Sequence, residues 1–451
     1  MNSVVVGLGK TGASCVRYLT KRGDRVSVTD SRRAPPGLEE LGGLAASVDL
    51  RLGGFDLSLL EGASQVLMSP GVSLNEPIAQ AARARGIDVL GDVELFAREV
   101  HAREVHAPVI GITGTNGKST VTTLVARMAA AAGRRVLAGG NLGEPALDLL
   151  EQPAPELYVL ELSSFQLETT SSLVLQAAAV LNVTADHLDR YPSVAAYAAA
   201  KGRIFANAST VVLNADDPWV LAMRDKAYRS DAARTVTFSI EQREADFSLS
   251  HSGDQVFLSS RGERLLDVAR MKISGLHNAA NALAALALGE AVGLSMDAML
   301  GALESFPGLP HRSSWVADVG GVRYIDDSKG TNVGATIAAV AGTPKPLVVI
   351  AGGEGKGQDF TPLAAAFRGK VREAVLIGKD APALAAALRG ACKTQIVASM
   401  EAAVAEAHRI AMPGDTVLLS PACASFDMFR DYGHRGDVFA AAVLKLEDSS
   451  P

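Results

Sequence analysis

A chain of 451 residues, 48% of them hydrophobic, is too long for one ordinary core and implies two to four domains. Its 43 basic and 49 acidic side chains are dispersed and leave a formal charge of -6, which offers nucleic acid no electropositive field and a membrane no polybasic anchor. Cys15, Cys392 and Cys423 are odd in number and far apart, which fits neither a disulfide framework nor a zinc knuckle and implies a reducing compartment.

The chain opens on Val4-Val5-Val6 and a glycine turn, and no apolar run approaches bilayer-spanning length. A soluble cytoplasmic protein acting on small molecules, without a signal peptide, nucleic-acid partner or membrane partner, is expected. Over the first 90 residues, short β-branched runs at 4–6, 26–28 and 66–68 alternate with Ala/Leu/Arg-rich helical stretches, the pattern of a parallel sheet with helices on its faces. Gly7-Leu8-Gly9-Lys10-Thr11-Gly12 follows the first strand and Asp30 closes the second, which is the dinucleotide fingerprint. Such glycines recognise a diphosphate and not a nicotinamide, so NAD and a UDP-linked ligand both stay open.

After a polar stretch at 101–108, Val109-Ile110-Gly111-Ile112 begins a new strand that runs into Gly114-Thr115-Asn116-Gly117-Lys118-Ser119-Thr120 and a long helix. Backbone N–H groups and a helix N-terminus wrap a polyphosphate in this setting, with Lys118 as a point charge near the β and γ oxygens and the Ser119 hydroxyl placed for Mg²⁺. The strict Walker spacing wants glycine where Ile112 stands, leaving the shorter Gly-x-x-Gly-Lys-Ser form. A turn that merely joined strand to helix would not need a lysine and hydroxyls in this order, so ATP binding is expected.

Tyr158-Val159-Leu160 ends in Glu161, which delivers a carboxylate at the edge of the sheet where open α/β folds bind ligands. A second apolar run at 178–181 ends in Asn182-Val183-Thr184-Ala185-Asp186-His187-Leu188-Asp189-Arg190-Tyr191, whose hard oxygens and one imidazole suit Mg²⁺ or Mn²⁺. His187 alone would serve equally as a surface or capping residue; beside a phosphate loop and Glu161, a ligand role is favoured. Residues 247–273 lose helical periodicity and predict short antiparallel strands, and an Ala/Leu-rich helix from 277 to about 292 follows.

Phe306-Pro307-Gly308-Leu309-Pro310 has the composition of a domain connection, and a third alternation follows, with strands near 322–325, 347–350, 375–377 and 417–419. The expected architecture is α/β with three domains. These are a Rossmann-like domain at 1–91, a central P-loop-type ATPase domain at 92–305 whose parallel sheet is joined by a small antiparallel one, and a Rossmann-like domain at 306–451. In the last, Tyr324-Ile325-Asp326-Asp327-Ser328-Lys329-Gly330-Thr331-Asn332 is a strand that ends in acids, a lysine and hydroxyls; an anionic ligand site and a well-capped helix start both remain open. Cys423 is expected to be a packed small residue rather than a nucleophile.

GTNGKST, LELSSFQLE, NVTADHLDRYP and the lysine of AAAKGRIF resemble the central domain of the Mur ligases, a family that includes folylpolyglutamate synthases. GLHNAAN, DDSKGTN, GGEGKG and SPACASFDMF extend the resemblance over essentially the whole chain. The short first domain is similar to that of the branch that adds D-glutamate, and folylpolyglutamate synthases lack it. The resemblance implies ATP-driven joining of D-glutamate to UDP-N-acetylmuramoyl-L-alanine through an acyl phosphate, in cytoplasmic peptidoglycan precursor synthesis by a monomer. It implies that Lys118, Glu161, His187 and Lys201 are catalytic and that two Mg²⁺ ions are held by Ser119, Glu161, His187 and a carbamylated Lys201. ATP would meet Gly114 through Thr120, Asn278, Asn281, His311, Arg312, Asp327 and Lys329. The UDP-sugar would meet Thr11, Asp30, Ser31, Arg32, Ser69, Gly71, Asn141, Ser163 and Gln166. D-Glutamate would meet Thr331, Lys356, Ser425 and Tyr432, the last standing where the family usually has phenylalanine. Rival readings are a related ligase with a different amino acid, a nicotinamide-dependent oxidoreductase and a nucleotide-binding scaffold; a two-metal set counts against the scaffold, since binding alone rarely needs one.

Overall fold

The structure, a computed structural model, describes residues 1–103, 107–223, 233–273, 275–343 and 346–448. Part of the polar connection at 101–108 therefore lies outside the described residues. Strands in the described residues form three sheets of five, nine and six.

The first sheet is parallel throughout, in the order Asp49–Leu52, Arg25–Asp30, Asn2–Val6, Gln65–Met68, Asp88–Leu90. Val4, Val5, Val6, Val28 and Val66 are buried on both faces, which is why its central strands read as unbroken apolar runs rather than as alternation. Asn2–Val6 lies between its two neighbours with Val6 opposite Thr29 on one side and Met68 on the other, so the glycine loop that follows it leaves from the middle of the sheet.

In the second sheet Val109–Thr113 lies between Leu175–Val180 and Leu157–Glu161. Ile112 is paired with Glu161 and Thr113 with Val180, so three strand ends reach the same edge together. The antiparallel strands Phe247–Ser252 and Gln255–Ser260 are present, and they continue this sheet through a short parallel join, Phe238 to Phe247 and Ser239 to Ser248.

The third sheet runs in the order Ser314–Val319, Val322–Asp326, Thr416–Leu419, Leu347–Gly352, Val371–Ile377, Lys393–Ile396. Its first strand is antiparallel to the second and the others are parallel. Val349, Ala351, Leu376 and Leu418 enter one core cluster, while Val348, Ile350, Val375, Val417 and Leu419 enter the cluster on the other face, the period of two that a sheet covered on both sides requires.

The chain divides into two compact units. One comprises Met1–Asn182, Tyr197–Leu266 and Asn281–Leu303; the other comprises Val183–Ala196, Asp267–Ala280 and Glu304–Pro451. Among the described residues no helix is long and apolar enough to cross a membrane.

Candidate active site

The loop after Val109–Thr113 is shaped by two glycines at φ 155° (Gly114) and 84° (Gly117) before the helix Lys118–Ala131 begins. A Cβ on Gly117 would stand 2.4 Å from Asn281 Oδ1 and would have to displace that side chain, and the positive φ strains any other residue there. Asn182 fixes the loop from the neighbouring strand end: its carbonyl accepts from the Thr115 N–H at 2.9 Å and its Oδ1 from the Asn116 N–H at 2.8 Å. Lys118 Nζ donates to the carbonyls of Gly114 and Thr115 at 2.9 and 2.8 Å. Lys201, 1% exposed on the helix Val194–Gly202, donates to the same Gly114 carbonyl at 2.8 Å, with its amine 4.4 Å from the centre of the Tyr197 ring. Ser119 and Thr120 are buried in the first helical turn.

Glu161 stands at the same sheet edge. Its Oε1 accepts from Asn141 Nδ2 at 2.6 Å, and its carbonyl accepts from the Asn141 N–H at 2.8 Å. Its Oε2 is buried without a hydrogen-bond partner. An unsatisfied buried carboxylate oxygen is costly, and a hard cation is one ligand that could satisfy it. Among the described residues no three of His, Cys, Asp and Glu converge, so any metal here would draw on other donors as well.

Ser163 and Gln166 form a capping box that starts the helix Ser164–Glu168. The Gln166 amide also donates to the Asp92 carboxylate at 3.2 Å. Asp92 is fully buried, and that burial pushes its carboxyl up to about 6 against the opposing pull of Gln166 and the local N–H groups.

Around the first glycine loop, Gly7 has φ 91°, and a Cβ on Gly12 would stand 2.1 Å from the Gly7 carbonyl. Ser69 Oγ donates to that carbonyl at 2.6 Å, and Asp30 Oδ2 accepts from the Leu8 N–H at 2.7 Å. Arg32 grips Asp30 through Nε and Nη2 at 2.9 and 2.7 Å. Burial works to raise the Asp30 carboxyl, but Arg32 and the two backbone donors outweigh it and hold it below the usual range. Thr11 is half-buried, while Ser31, Arg32 and Gly71 are exposed around the same loop.

The second unit holds the remaining predicted residues except Asn281. Asp186 Oδ1 accepts from Lys356 Nζ at 2.8 Å, and Asn332 Nδ2 stands 3.4 Å from Oδ2. Burial alone would raise Asp186, but Lys356 and His187 keep its carboxyl below the ordinary value. His187 lies 3.7 Å through Nε2 from Asp186. Among the described residues six non-glycine residues have positive φ, and five of them, His187, His311, Ser313, Lys356 and Ala422, belong to these loops, which marks the region as one where backbone strain is tolerated. Asp327 is buried, accepts from the Ser313 N–H and from Ser420 Oγ at 3.1 and 2.8 Å, and is pushed by burial to about 7. Arg312 acts on it electrostatically. Asp326 takes His311 Nδ1 at 2.7 Å, and Lys329 Nζ sits 3.7 Å over the Tyr432 ring. The Thr331 N–H donates to the Lys329 carbonyl, and Ser425 is buried at the turn whose carbonyl takes Phe429 N–H. Asn278 and Asn281 lie on the helix Leu276–Ala291, Asn278 assigned to the second unit and Asn281 to the first.

The structure thus brings Lys118, Lys201 and the loop 114–120 together, and separately Lys356 with the loop that carries His187. Sequence reasoning passed over four side chains. Asp186, in the same loop as the chosen histidine, could have been found by its place in an acid-rich strand end. Asn182, Asp92 and Arg435 could not, because their partners are distant in sequence. Arg435 is wholly buried and donates to Ser328 Oγ, to the Ser328 carbonyl and to the Cys423 carbonyl at 3.0, 2.8 and 3.1 Å; burial lowers its guanidinium to about 10.

Comparison with known proteins agrees with this picture. Residues 1–91 match the Mur ligase MurD-like N-terminal domain, 112–289 the Mur ligase middle domain and 311–423 the Mur ligase glutamate ligase domain. The chain is 53% identical over 447 residues to the UDP-N-acetylmuramoylalanine--D-glutamate ligase of Nitrosococcus oceani, covering 98% of this chain and 96% of that one. The enzyme of the same name from Methylobacillus flagellatus is 49% identical, with 98% and 97% covered. Among solved structures, the UDP-N-acetylmuramate-alanine ligase MurC of Thermotoga maritima shares the fold at a TM-score of 0.61 and 20% identity, with 100% of each chain covered. These matches span most of the sequence, and the chain belongs to the Mur ligase family.

Proposed function

We propose that the chain joins D-glutamate to UDP-N-acetylmuramoyl-L-alanine, with cleavage of ATP to ADP and phosphate, in peptidoglycan precursor synthesis. It is an ATP-dependent amide ligase, and as a Mur ligase it uses ATP and Mg²⁺. The observation that carries the chemistry is the buried, unpartnered Glu161 Oε2 beside a phosphate loop that bears two lysines.

In this reading residues 1–91 hold the UDP-sugar through the glycine loop, Asp30, Ser31, Arg32, Ser69 and Gly71, with Asn141, Ser163 and Gln166 adding contacts from the neighbouring domain. Residues 92–305 hold ATP, and 306–451 bring D-glutamate to Thr331, Lys356, Ser425 and Tyr432. The three free cysteines support work in a reducing cytoplasm.

Backbone donors of residues 114–120 and the Lys118 ammonium would hold the triphosphate in line with the L-alanyl carboxylate of the first substrate. The carboxylate oxygen attacks the γ-phosphorus, the bond to ADP breaks, and an acyl phosphate forms. The D-glutamate amine then attacks the acyl carbon, and phosphate leaves. Ser119, Glu161, His187 and Lys201 would hold two Mg²⁺, whose supply to the reaction is neutralisation of phosphoryl charge. Lys201, buried beside the loop, is the group that would add CO₂ to become an anionic carbamate ligand; a ¹³C carbamate resonance in labelled bicarbonate, lost in Lys201→Gln, tests this.

The function is tested by phosphate release with UDP-N-acetylmuramoyl-L-alanine while the amino acid is varied. Release that requires D-glutamate and yields the amide is expected. ATP cleavage uncoupled from amide formation, or faster release with another amino acid, overturns the reading.

A further inference from the structure

The helix Lys10–Lys21 and the glycine loop before it are one piece, because Gly12 packs on the Gly7 carbonyl with no room for a Cβ and the Ala13 N–H donates to the Gly9 carbonyl. Residues 10, 14, 17 and 21 fall on one stripe of this helix. All four reach a single short stretch of the neighbouring sheet's connection. Lys10 Nζ donates to the Gly143 carbonyl at 2.7 Å, Ser14 Oγ to Asp148 Oδ1 at 2.6 Å and Arg17 Nη2 to Asp148 Oδ2 at 2.8 Å, and Lys21 pairs with Glu151. The outer Lys21–Glu151 pair is solvated and contributes little. The central contact is sheltered: Ser14 is fully buried and the Asp148 side chain is 21% exposed. Leu147 and Leu149, both buried, fix the turn that presents Asp148.

That stretch is the direct continuation of the loop that grips Glu161. Asn141 holds Glu161 through both side chain and backbone, and the Gly140 N–H donates to the Glu144 carbonyl at 2.7 Å, closing the loop on itself. A continuous path of short contacts therefore runs from the first glycine loop, through Ser14, Arg17 and Asp148, to Glu161.

We propose that Asp148 is a positioning residue, which sets the diphosphate-binding loop of the first sheet in register with Glu161 and the phosphate loop of the second. The proposal rests on the reading above, in which the first loop carries the substrate whose carboxyl must reach the γ-phosphoryl group. Reacting atoms must approach to roughly 3–3.5 Å, and a misplacement of about 1 Å costs on the order of 100-fold in rate. Loss of the Asp148 contact leaves each binding site whole and lets one tilt against the other.

The test uses the full chain with Asp148→Ala, Ser14→Ala, Arg17→Gln and the Ser14→Ala/Asp148→Ala double variant. Calorimetric affinities for UDP and for ADP should stay within about twofold of wild type, while kcat with all substrates falls about 10- to 100-fold in Asp148→Ala. The double variant should be no slower than Asp148→Ala alone, because both changes remove one contact. Should Asp148→Ala fail to fold, Arg17→Gln carries the same expectation on a smaller scale. Unchanged kcat overturns the proposal, as does a loss of kcat matched by equal losses of UDP and ADP affinity. Wild-type D-glutamate-dependent turnover in the same assay tests the proposed reaction separately, so the two failures are distinguishable.

Discussion

The side-chain amines of Lys118 and Lys201 both donate to the carbonyl oxygen of Gly114, at 2.9 and 2.8 Å. Two amines that share one carbonyl concentrate positive charge beside the loop, which an incoming polyphosphate would neutralise. Lys118→Ala should therefore abolish D-glutamate-dependent phosphate release by at least about 100-fold while UDP affinity holds. Phosphate-release kinetics beside UDP calorimetry check this, and near-normal turnover would remove the phosphate-loop assignment.

Glu161 and Asn141 should behave as a graded pair. Glu161→Gln replaces the buried, unpartnered oxygen or its neighbour with an amide, and turnover should be lost at any Mg²⁺ concentration. Asn141→Ala keeps the carboxylate but frees its orientation, and should raise the Mg²⁺ needed for half-maximal rate by about 10- to 100-fold. A Mg²⁺ titration of both variants decides; identical wild-type curves would show that Glu161 holds no metal.

Lys356→Met leaves Asp186 buried without its 2.8 Å partner, which should lower stability by about 3 kcal/mol. Denaturant melts measure that cost, and the KM for D-glutamate should rise in the same variant with the KM for ATP little changed. Equal rises in both would argue that Lys356 serves the fold alone.

Asp92 gives a pH signature. Its folded-state pKa of about 6 lies above the unfolded value of ~3.9, so the native state holds a proton that the unfolded state has released across that interval. Its contribution is therefore fully present below about pH 4 and is lost as pH rises toward 6, by about 3 kcal/mol at most. Asp92→Asn, which cannot ionise, should flatten the fall in stability over this window. Urea melts at pH 4, 5 and 6 test it, and parallel wild-type and variant curves would contradict it.

Much of this architecture was legible because burial on both faces leaves its trace in local sequence. The runs at 4–6, 158–160 and 347–350 are apolar without alternation, and each lies inside a sheet with a strand on either side, the first and last near its centre. The glycine turn at 114–117 and the helix that follows it were equally plain, since the residues that shape them are adjacent in the chain. What stayed hidden depends on partners far along the sequence. Nothing local in Asp148 announces Ser14 and Arg17, nothing around Arg435 announces Ser328, and the two-residue join at Phe238 and Phe247 has no pattern of its own. The assignment of Val183–Ala196 to the second unit, apart from the strand that precedes it, is likewise a matter of packing and not of composition.

Arg435 ties the loops at Ser328, Gly352 and Cys423 to one guanidinium. Their lengths are thereby coupled, because an insertion in any one would move its carbonyl off a fork whose geometry is rigid. Anyone exchanging one of these loops with that of a sister ligase would have to graft the three as a set, and variation among natural homologues should respect the same bookkeeping of spacings.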